Sequence, residues 1–321
     1  MKVAFFIPSL SNKGGVEVST INLINSLAKY KHRDIDVSLI VFTDEFLISN
    51  LDSSVKVFCL NIENYKIQYV ILAKKLRRIT QFNNIDIVVT VESMSYLFTF
   101  LPLFTLKQRP KIVIWEHFNY KNDNGLKSRG FLRMLAAKTA DLIVLLTERD
   151  VKEWKENINI NAKMTYIYNI STFDTIVGFN QSNSKSIISV GRYVNVKGFD
   201  RLIKIWEIFQ NKYENSGWVL SIVGYGEDKD NLEILIKHNN INNIELVSTD
   251  DVQVNYSEAS FYCMTSYFEG LPMVLIEAQS FGLPSVAFDI FTGPSEILDD
   301  STGILIRDGD LEAYADAIYT L

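Results

Sequence analysis

The stretch YFEGLPMVLIEAQSFGLPSVAFD, Tyr267–Asp289, decides how this chain reads. Gly270-Leu271-Pro272 follows Glu269, and a helical pattern runs on from there to the FGLP turn at 281–284. Pro272 suits the first helical position, where its missing N–H costs nothing and its fixed φ helps start the turn. Glu269 then falls in the loop just ahead of a helix N-terminus, whose unpaired N–H groups and positive dipole favour a phosphate or a developing negative charge. Glu277 falls five residues into the helix, about 7.5 Å along its axis. Two carboxylates so spaced cannot form one tight dyad. They would grip separate parts of one elongated ligand. SVAFD (285–289) closes the stretch as an apolar strand.

The same rhythm of apolar run and helical pattern extends outward. Upstream stand SIISV (186–190), a helix over 198–212, WVLSIV (218–223), a helix over 227–239, IELVS (244–248) and FYCMTS (261–266). Downstream come a short helix near 294–299, ILI (304–306) and a final helix from Asp310. The first half repeats the pattern with VAFFIP (3–8), a helix in VEVSTINLINSLAKY, DVSLIVF (36–42), VKVFCL (55–60) and a helix over 66–82. IDIVVTV (85–91), KIVIWEH (111–117), DLIVLLT (141–147) and MTYIYN (164–169) follow. Near-continuous apolar strands separated by helices predict an α/β chain with parallel sheets covered on both faces. Ligands bind such sheets at the strand ends. At 321 residues the chain exceeds the ~250–300 at which one core stops growing, so two domains are expected. The Ser- and Asn-rich, aperiodic segment 171–185 reads as a linker between domains over 1–170 and 186–321.

Composition narrows the classes. With 47% hydrophobic and 22% charged residues the chain matches ordinary globular proteins. The apolar run after Lys2 is cut by Pro8 and suits a first strand better than a secretory leader. YLFTFLPLFTL (Tyr96–Leu106) has eleven residues and contains Pro102, against the about 20 residues a membrane span needs. Cys59 and Cys263 lie in separate strand-like runs, and the three histidines come with no CxxC. Neither a disulfide nor a Cys/His metal site is expected, and a reducing cytoplasm fits. Charge is unevenly divided: residues 1–170 hold 23 Lys and Arg against 16 Asp and Glu, whereas 171–321 hold 9 against 22. By charge alone the basic half could face either nucleic acid or an anionic membrane. Lys127, Arg129, Arg133 and Lys138, near Phe131, Leu132 and Leu135, with Lys107, Arg109 and Lys111, read either as a lipid-facing patch or as a solvated helix face. Aromatic residues are not spaced as a stacking platform, so no nucleic acid is expected.

Two further segments carry chemistry. In SVGRYVNVKGFDRLIKIW (189–206), Arg192 and Lys197 follow a strand and precede a helix opening at Gly198, a plausible clamp for two phosphates. In PSLSNKGGVEVSTINLI (8–24), Gly14-Gly15 joins the first strand to its helix. Absent side chains there let a ligand approach the backbone, whose amides can hold a phosphate. Gly224-x-Gly226 after WVLSIV resembles a dinucleotide fingerprint, but its third glycine is missing. The Asp-x-Asp pairs at 34, 228 and 308 sit at turns, where solvated or capping roles are expected rather than a metal.

Taken in this order, Gly14-Gly15 with Glu17, the GR…KG segment, the paired glutamates and TGILI (302–306) resemble the family 4 glycosyltransferases of the GT-B fold. The resemblance covers nearly the whole chain and implies two Rossmann-like domains whose parallel sheets face each other across a cleft. It implies that Arg192 and Lys197 neutralise a donor diphosphate and that Glu277 accepts hydrogen bonds from the ribose hydroxyls. Glu269, with the backbone of Gly270, Leu271 and Pro272, would orient the donor sugar. Gly14 and Gly15 would leave room for the phosphates, and His117, at the end of KIVIWEH, would touch the sugar. Transfer with retention is implied, without metal or other cofactor, since the two cations do a metal's work. A UDP-sugar is expected ahead of a GDP-sugar, and a lipid-linked or polysaccharide acceptor at the inner face of the cell membrane. Chains of this family usually run past the DLEAYADAI helix, whereas this sequence stops at Leu321. A truncated piece or a short member is therefore expected, and domain closure is the property affected. A non-catalytic GT-B subunit that stabilises a partner transferase is the second reading.

Overall fold

The computed structural model describes residues 1–10, 14–30, 34–43, 50–123, 125–173, 184–214, 216–249 and 251–321. They form two compact units, Met1–Ile170 and Ser171–Leu321. The first runs β1 (Lys2–Phe6), α1 (Gly15–Lys29), β2 (Asp36–Val41), β3 (Lys56–Cys59), α2 (Tyr65–Phe82), β4 (Ile87–Val91) and α3 (Tyr96–Phe104). It ends with β5 (Lys111–Trp115), α4 (Lys127–Thr139), β6 (Leu142–Leu145), α5 (Glu148–Asn157) and β7 (Lys163–Tyr166). Its sheet has the order β3-β2-β1-β4-β5-β6-β7, and neighbouring strands pair in parallel.

Side-chain alternation along these strands feeds both faces. Ala4, Phe6, Val88, Ile112, Ile114 and Ile143 pack with Leu72 and Leu76 of α2, Ala136 and Ala137 of α4 and Trp154 of α5 in one core. Phe5, Val89, Val113, Trp115 and Val144 point the other way and, with Ser19 and Leu23 of α1, line an apolar cavity of about 200 Å³. Crossover direction explains the split. The chain moves one way across the sheet through α1 and the other way through α2 to α5, and right-handed crossovers then put helices on opposite faces. The apolar run at 96–106 is helix α3, with Pro102 near its C-terminal end. No helix among the described residues is long and apolar enough to cross a membrane.

The second unit runs β8 (Ser186–Val190), α6 (Phe199–Lys212), β9 (Val219–Val223), α7 (Lys229–His238), β10 (Ile244–Val247), α8 (Val252–Glu258) and β11 (Phe261–Met264). It continues with α9 (Met273–Ser280), β12 (Ser285–Asp289), α10 (Pro294–Ile297), β13 (Gly303–Arg307) and α11 (Leu311–Thr320). All pairings in its β10-β9-β8-β11-β12-β13 sheet are parallel. Helix α11 returns onto α6, where the rings of Tyr213 and Tyr319 stack at 4.0 Å. Strand order reverses between β1 and β4 in the first unit and between β8 and β11 in the second. At such switch points the crossover helices diverge and leave a crevice at the strands' carboxyl ends.

Two expectations shift. Helix α9 begins at Met273, so Pro272 is its N-cap rather than its first residue; the amide of Leu275 donates to the Pro272 carbonyl at 3.1 Å. Of the segment read as a linker, 174–183 lies outside the described residues. Ser171 to Phe173 are fastened to the second unit, through a 2.7 Å hydrogen bond between the Ser171 and Ser280 hydroxyls and the Phe173 ring 5.5 Å from Phe281.

Candidate active site

In the second unit the site grows from the adjacent ends of β8 and β11. Gly198 caps α6 in the left-handed region, with φ +65°. A Cβ there would stand 2.0 Å from the Thr265 carbonyl oxygen, so only glycine lets α6 start against the β11 end. That approach delivers Lys197 to the loop after β11. Its Nζ lies 2.7 Å from Glu269 Oε1, with side-chain exposures of 21% and 13%. The loop is held from both sides. Arg201 donates to the carbonyls of Thr265 and Ser266 and pairs with Asp308 at 2.7 Å. The Thr292 hydroxyl donates to the Glu269 carbonyl at 2.7 Å.

Glu277, on α9, accepts hydrogen bonds from Thr172 Oγ1 and Tyr256 Oη, both at 3.1 Å. Burial raises its carboxyl above the usual range, opposed by those two bonds and by the charge of Lys197. Lys197, Glu269 and Glu277 thus share one electrostatic neighbourhood beside the Gly270-Leu271-Pro272 turn. Arg192 is exposed, and its side chain makes no ion pair among the described residues. Its loop is seated by Gly224 and Gly226. A Cβ on the first would fall 1.9 Å from the Gly191 carbonyl oxygen, and on the second 2.4 Å from that of Tyr193. Those glycines permit a close backbone contact, which accounts for the spacing without a dinucleotide.

In the first unit the β1–α1 turn, β4 and β5 supply the corresponding groups. Gly14 caps α1, where a Cβ would stand 2.7 Å from Glu17 Oε2, and Gly15 has nothing within 4 Å of its Cβ position. His117 is buried just past β5, its ring 4.3 Å from Trp115. Burial lowers its pKa to about 4 against the pull of Glu116, so it is neutral at ordinary pH. Its Nε2 has no partner among the described residues, leaving one buried polar atom able to meet a hydroxyl.

Sequence reading missed the frame behind His117. Glu116 is buried between Arg129 at 3.4 Å and Arg133 at 3.5 Å and accepts the amides of His117 and Phe118, each at 3.1 Å. Burial opposes its ionisation, but the two guanidinium groups win and hold its pKa below the usual value. Arg129 and Arg133 therefore belong to the interior, not to a lipid-facing patch. Glu92, at the end of β4, adopts φ +63°, rare for a side chain of its size. Its carboxylate lies 3.6 Å from Arg129. Burial, Glu116 and Glu17 raise its pKa to about 7, against Arg129. No single motif links these residues, which stand far apart in sequence. Among the described residues no group of three or more His, Cys, Asp or Glu could hold a metal ion.

Comparison with known proteins identifies the family and the fold. Residues 13–170 match the family model described as Glycosyltransferase Family 4, and 171–321 the model described as Glycosyl transferases group 1. An uncharacterized glycosyltransferase of Haemophilus influenzae is 33% identical over 319 residues, 97% of this chain and 87% of its own length. The GalNAc-alpha-(1->4)-GalNAc-alpha-(1->3)-diNAcBac-PP-undecaprenol alpha-1,4-N-acetyl-D-galactosaminyltransferase of Campylobacter jejuni is 27% identical over 98% of this chain and 87% of its own. The crystal structure of Anabaena Alr3699/HepE in complex with UDP-glucose superposes with a TM-score of 0.78 at 18% identity, over 100% of this chain and 89% of that one. This chain belongs to the family 4 glycosyltransferases of the GT-B fold.

Proposed function

We propose that the protein is a retaining, metal-independent glycosyltransferase. It moves a sugar from a nucleotide diphosphate donor, a UDP-sugar in the first instance, to a lipid-linked or polysaccharide acceptor of a surface glycan. It works on the cytoplasmic side, against an anionic membrane. The observation that carries this reading is the Lys197–Glu269 pair at the β8/β11 switch point, with Glu277 within reach of the same cation's charge. Lys197 and Arg192 neutralise the diphosphate as it leaves, Glu277 takes the ribose hydroxyls, and Glu269 with the Gly270-Leu271-Pro272 turn orients the sugar. The acceptor hydroxyl attacks the anomeric carbon on the face from which the diphosphate departs, and a departing phosphate oxygen takes its proton. The first unit contributes neutral His117 to the sugar hydroxyls. The Campylobacter relative's name, with its undecaprenol-linked acceptor, and the UDP-glucose bound by Alr3699/HepE support the acceptor and donor classes.

The test is thermal shift without added metal against UDP, GDP, ADP, their sugar conjugates and NAD. Turnover with the stabilising donor follows, and NMR of the product's anomeric centre. A ligand at 100-fold its Kd stabilises by ~2.7 kcal/mol, well within detection. Stabilisation by UDP and an α-linked product from an α-linked donor are expected. Silence across the nucleotides, or inversion, would overturn the reading.

A further inference from the structure

The geometry points to the outer face of α2, α3 and α4 as a docking surface for an anionic lipid bilayer. This deepens the membrane part of the proposed function and rests on it. The three helices contain no Asp or Glu, while α2 carries Lys66, Lys74, Lys75, Arg77 and Arg78, and α4 carries Lys127 and Lys138 besides its two buried arginines. They are joined side by side. Tyr69 Oη donates to the Leu97 carbonyl at 3.0 Å, Arg77 to Thr105 Oγ1 at 2.7 Å, and the hydroxyls of Tyr96 and Thr139 lie 2.9 Å apart.

Each helix turns apolar side chains outward at helical spacing, against the usual pattern of a polar outer face. On α2 these are Ile67, Val70 and Ile71, followed on the same face by Lys74, Arg78 and Phe82, with Ile67 82% and Phe82 84% exposed. On α3 they are Leu97, Leu101 and Phe104; on α4, Phe131, 62% exposed, and Met134 between Lys127 and Lys138. Lys74, Arg77, Arg78, Gln81 and Phe82 line a shallow groove at the C-terminal end of α2. Exposed aliphatic and aromatic tips among cations, without an acid, match a bilayer. The tips enter the acyl boundary while the ammonium and guanidinium groups stay with the phosphates. A protein partner would have to cover the same face with its own acids; these helices have none, so a second copy could do so only through other parts of its chain, an outcome that self-association would report.

The test is co-sedimentation of the full chain with vesicles of equimolar phosphatidylglycerol and phosphatidylcholine, and with phosphatidylcholine alone. Binding to the anionic vesicles, at least tenfold weaker to the neutral ones, is expected. Ile67→Glu with Val70→Glu, and separately Lys74→Glu with Arg78→Glu, should each lower the partition coefficient at least tenfold while UDP affinity and melting temperature stay as in the parent. Equal partition of both variants and parent would overturn the assignment. So would binding to neither vesicle by a chain that still binds UDP, an outcome that leaves the transferase reading standing. Self-association of the parent that Ile67→Glu abolishes would give the face to a second copy instead.

Discussion

Removing the charge of Glu269 is expected to tighten nucleotide binding while stopping transfer. In the structure Lys197 and Glu269 are each other's partners at 2.7 Å, and both are largely buried. A diphosphate that reaches Lys197 must draw its ammonium from the carboxylate and then lie beside that carboxylate as a like charge. At about 5 Å, with an effective dielectric between ~20 and ~80, that repulsion costs about 1–3 kcal/mol. In Glu269→Gln the cost disappears and the amide still fits the site, so the Kd for UDP should fall by roughly 5- to 150-fold. Turnover should fall at the same time by ~10²–10³, the usual loss when one positioned polar group of an active site is removed. Isothermal titration of UDP into parent, Glu269→Gln, Lys197→Met and the double variant gives the coupling energy directly. UDP binding equal to or weaker than the parent in Glu269→Gln would refute the idea that the pair competes with the donor.

Three further outcomes follow from the first unit. Glu92 is raised to about 7 from an ordinary 4.5. Its contribution to stability is therefore fully present below about pH 4.5 and is lost as pH rises through 7. The melting temperature of Glu92→Gln should match the parent near pH 4 and exceed it at pH 8, by about 3 kcal/mol in stability at most; a gap independent of pH would refute the assignment. Arg133→Met leaves buried Glu116 with Arg129 alone and strips donors from the carbonyls of Tyr120, Phe118 and Asn119. It should destabilise by about 3–5 kcal/mol, read as a lower urea midpoint at unchanged slope, and a shift under 1 kcal/mol would deny Glu116 its buried charge. His117, with its pKa near 4, should show imidazole NMR shifts constant from pH 5.5 to 8. A midpoint near the ordinary 6.5 would contradict its burial.

The architecture was legible because parallel strands buried on both faces leave unbroken apolar runs, and every strand read from the sequence is present with ends shifted by at most three residues, the largest shift at the end of β7. The helices that escaped did so for particular reasons. In α3 an apolar run with Pro102 lacks a polar face to mark its period. Helix α5 is almost wholly polar and begins at a Thr147 cap, whose hydroxyl accepts from the Asp150 amide at 3.2 Å. At the candidate site, the proximity of Lys197, Glu269 and Glu277 was legible because it depends on local spacing around two strand ends. Glu92, Glu116, Arg129 and Arg133 were not, since they meet only after β4, β5 and α4 come together. The same closeness explains why two arginines that looked like surface charge are interior. Each lies within 3.5 Å of Glu116, a partner that the local sequence of α4 does not reveal.

The two units hold their charged groups by different rules, and this bears on what a donor must bring. Around Glu116 the partners are fixed guanidinium groups and backbone amides, so that network orients His117 and has no reason to exchange. In the second unit the partners are interchangeable. On the proposed reading Lys197 trades a carboxylate for a phosphate, and Glu277 trades the hydroxyls of Thr172 and Tyr256 for those of a ribose, each bond giving way to one of the same kind. Binding there is partner exchange rather than the filling of unmet hydrogen-bond capacity. Its net gain is small for any ligand that supplies only one half of the exchange. A free phosphate addresses Lys197 alone, and a nucleoside addresses Glu277 alone. Only a nucleoside diphosphate addresses both and adds a second phosphate for Arg192, the one cation of the set without an ion-pair partner among the described residues. Under the proposed function, selectivity for the diphosphate would therefore arise from the site's own internal pairing.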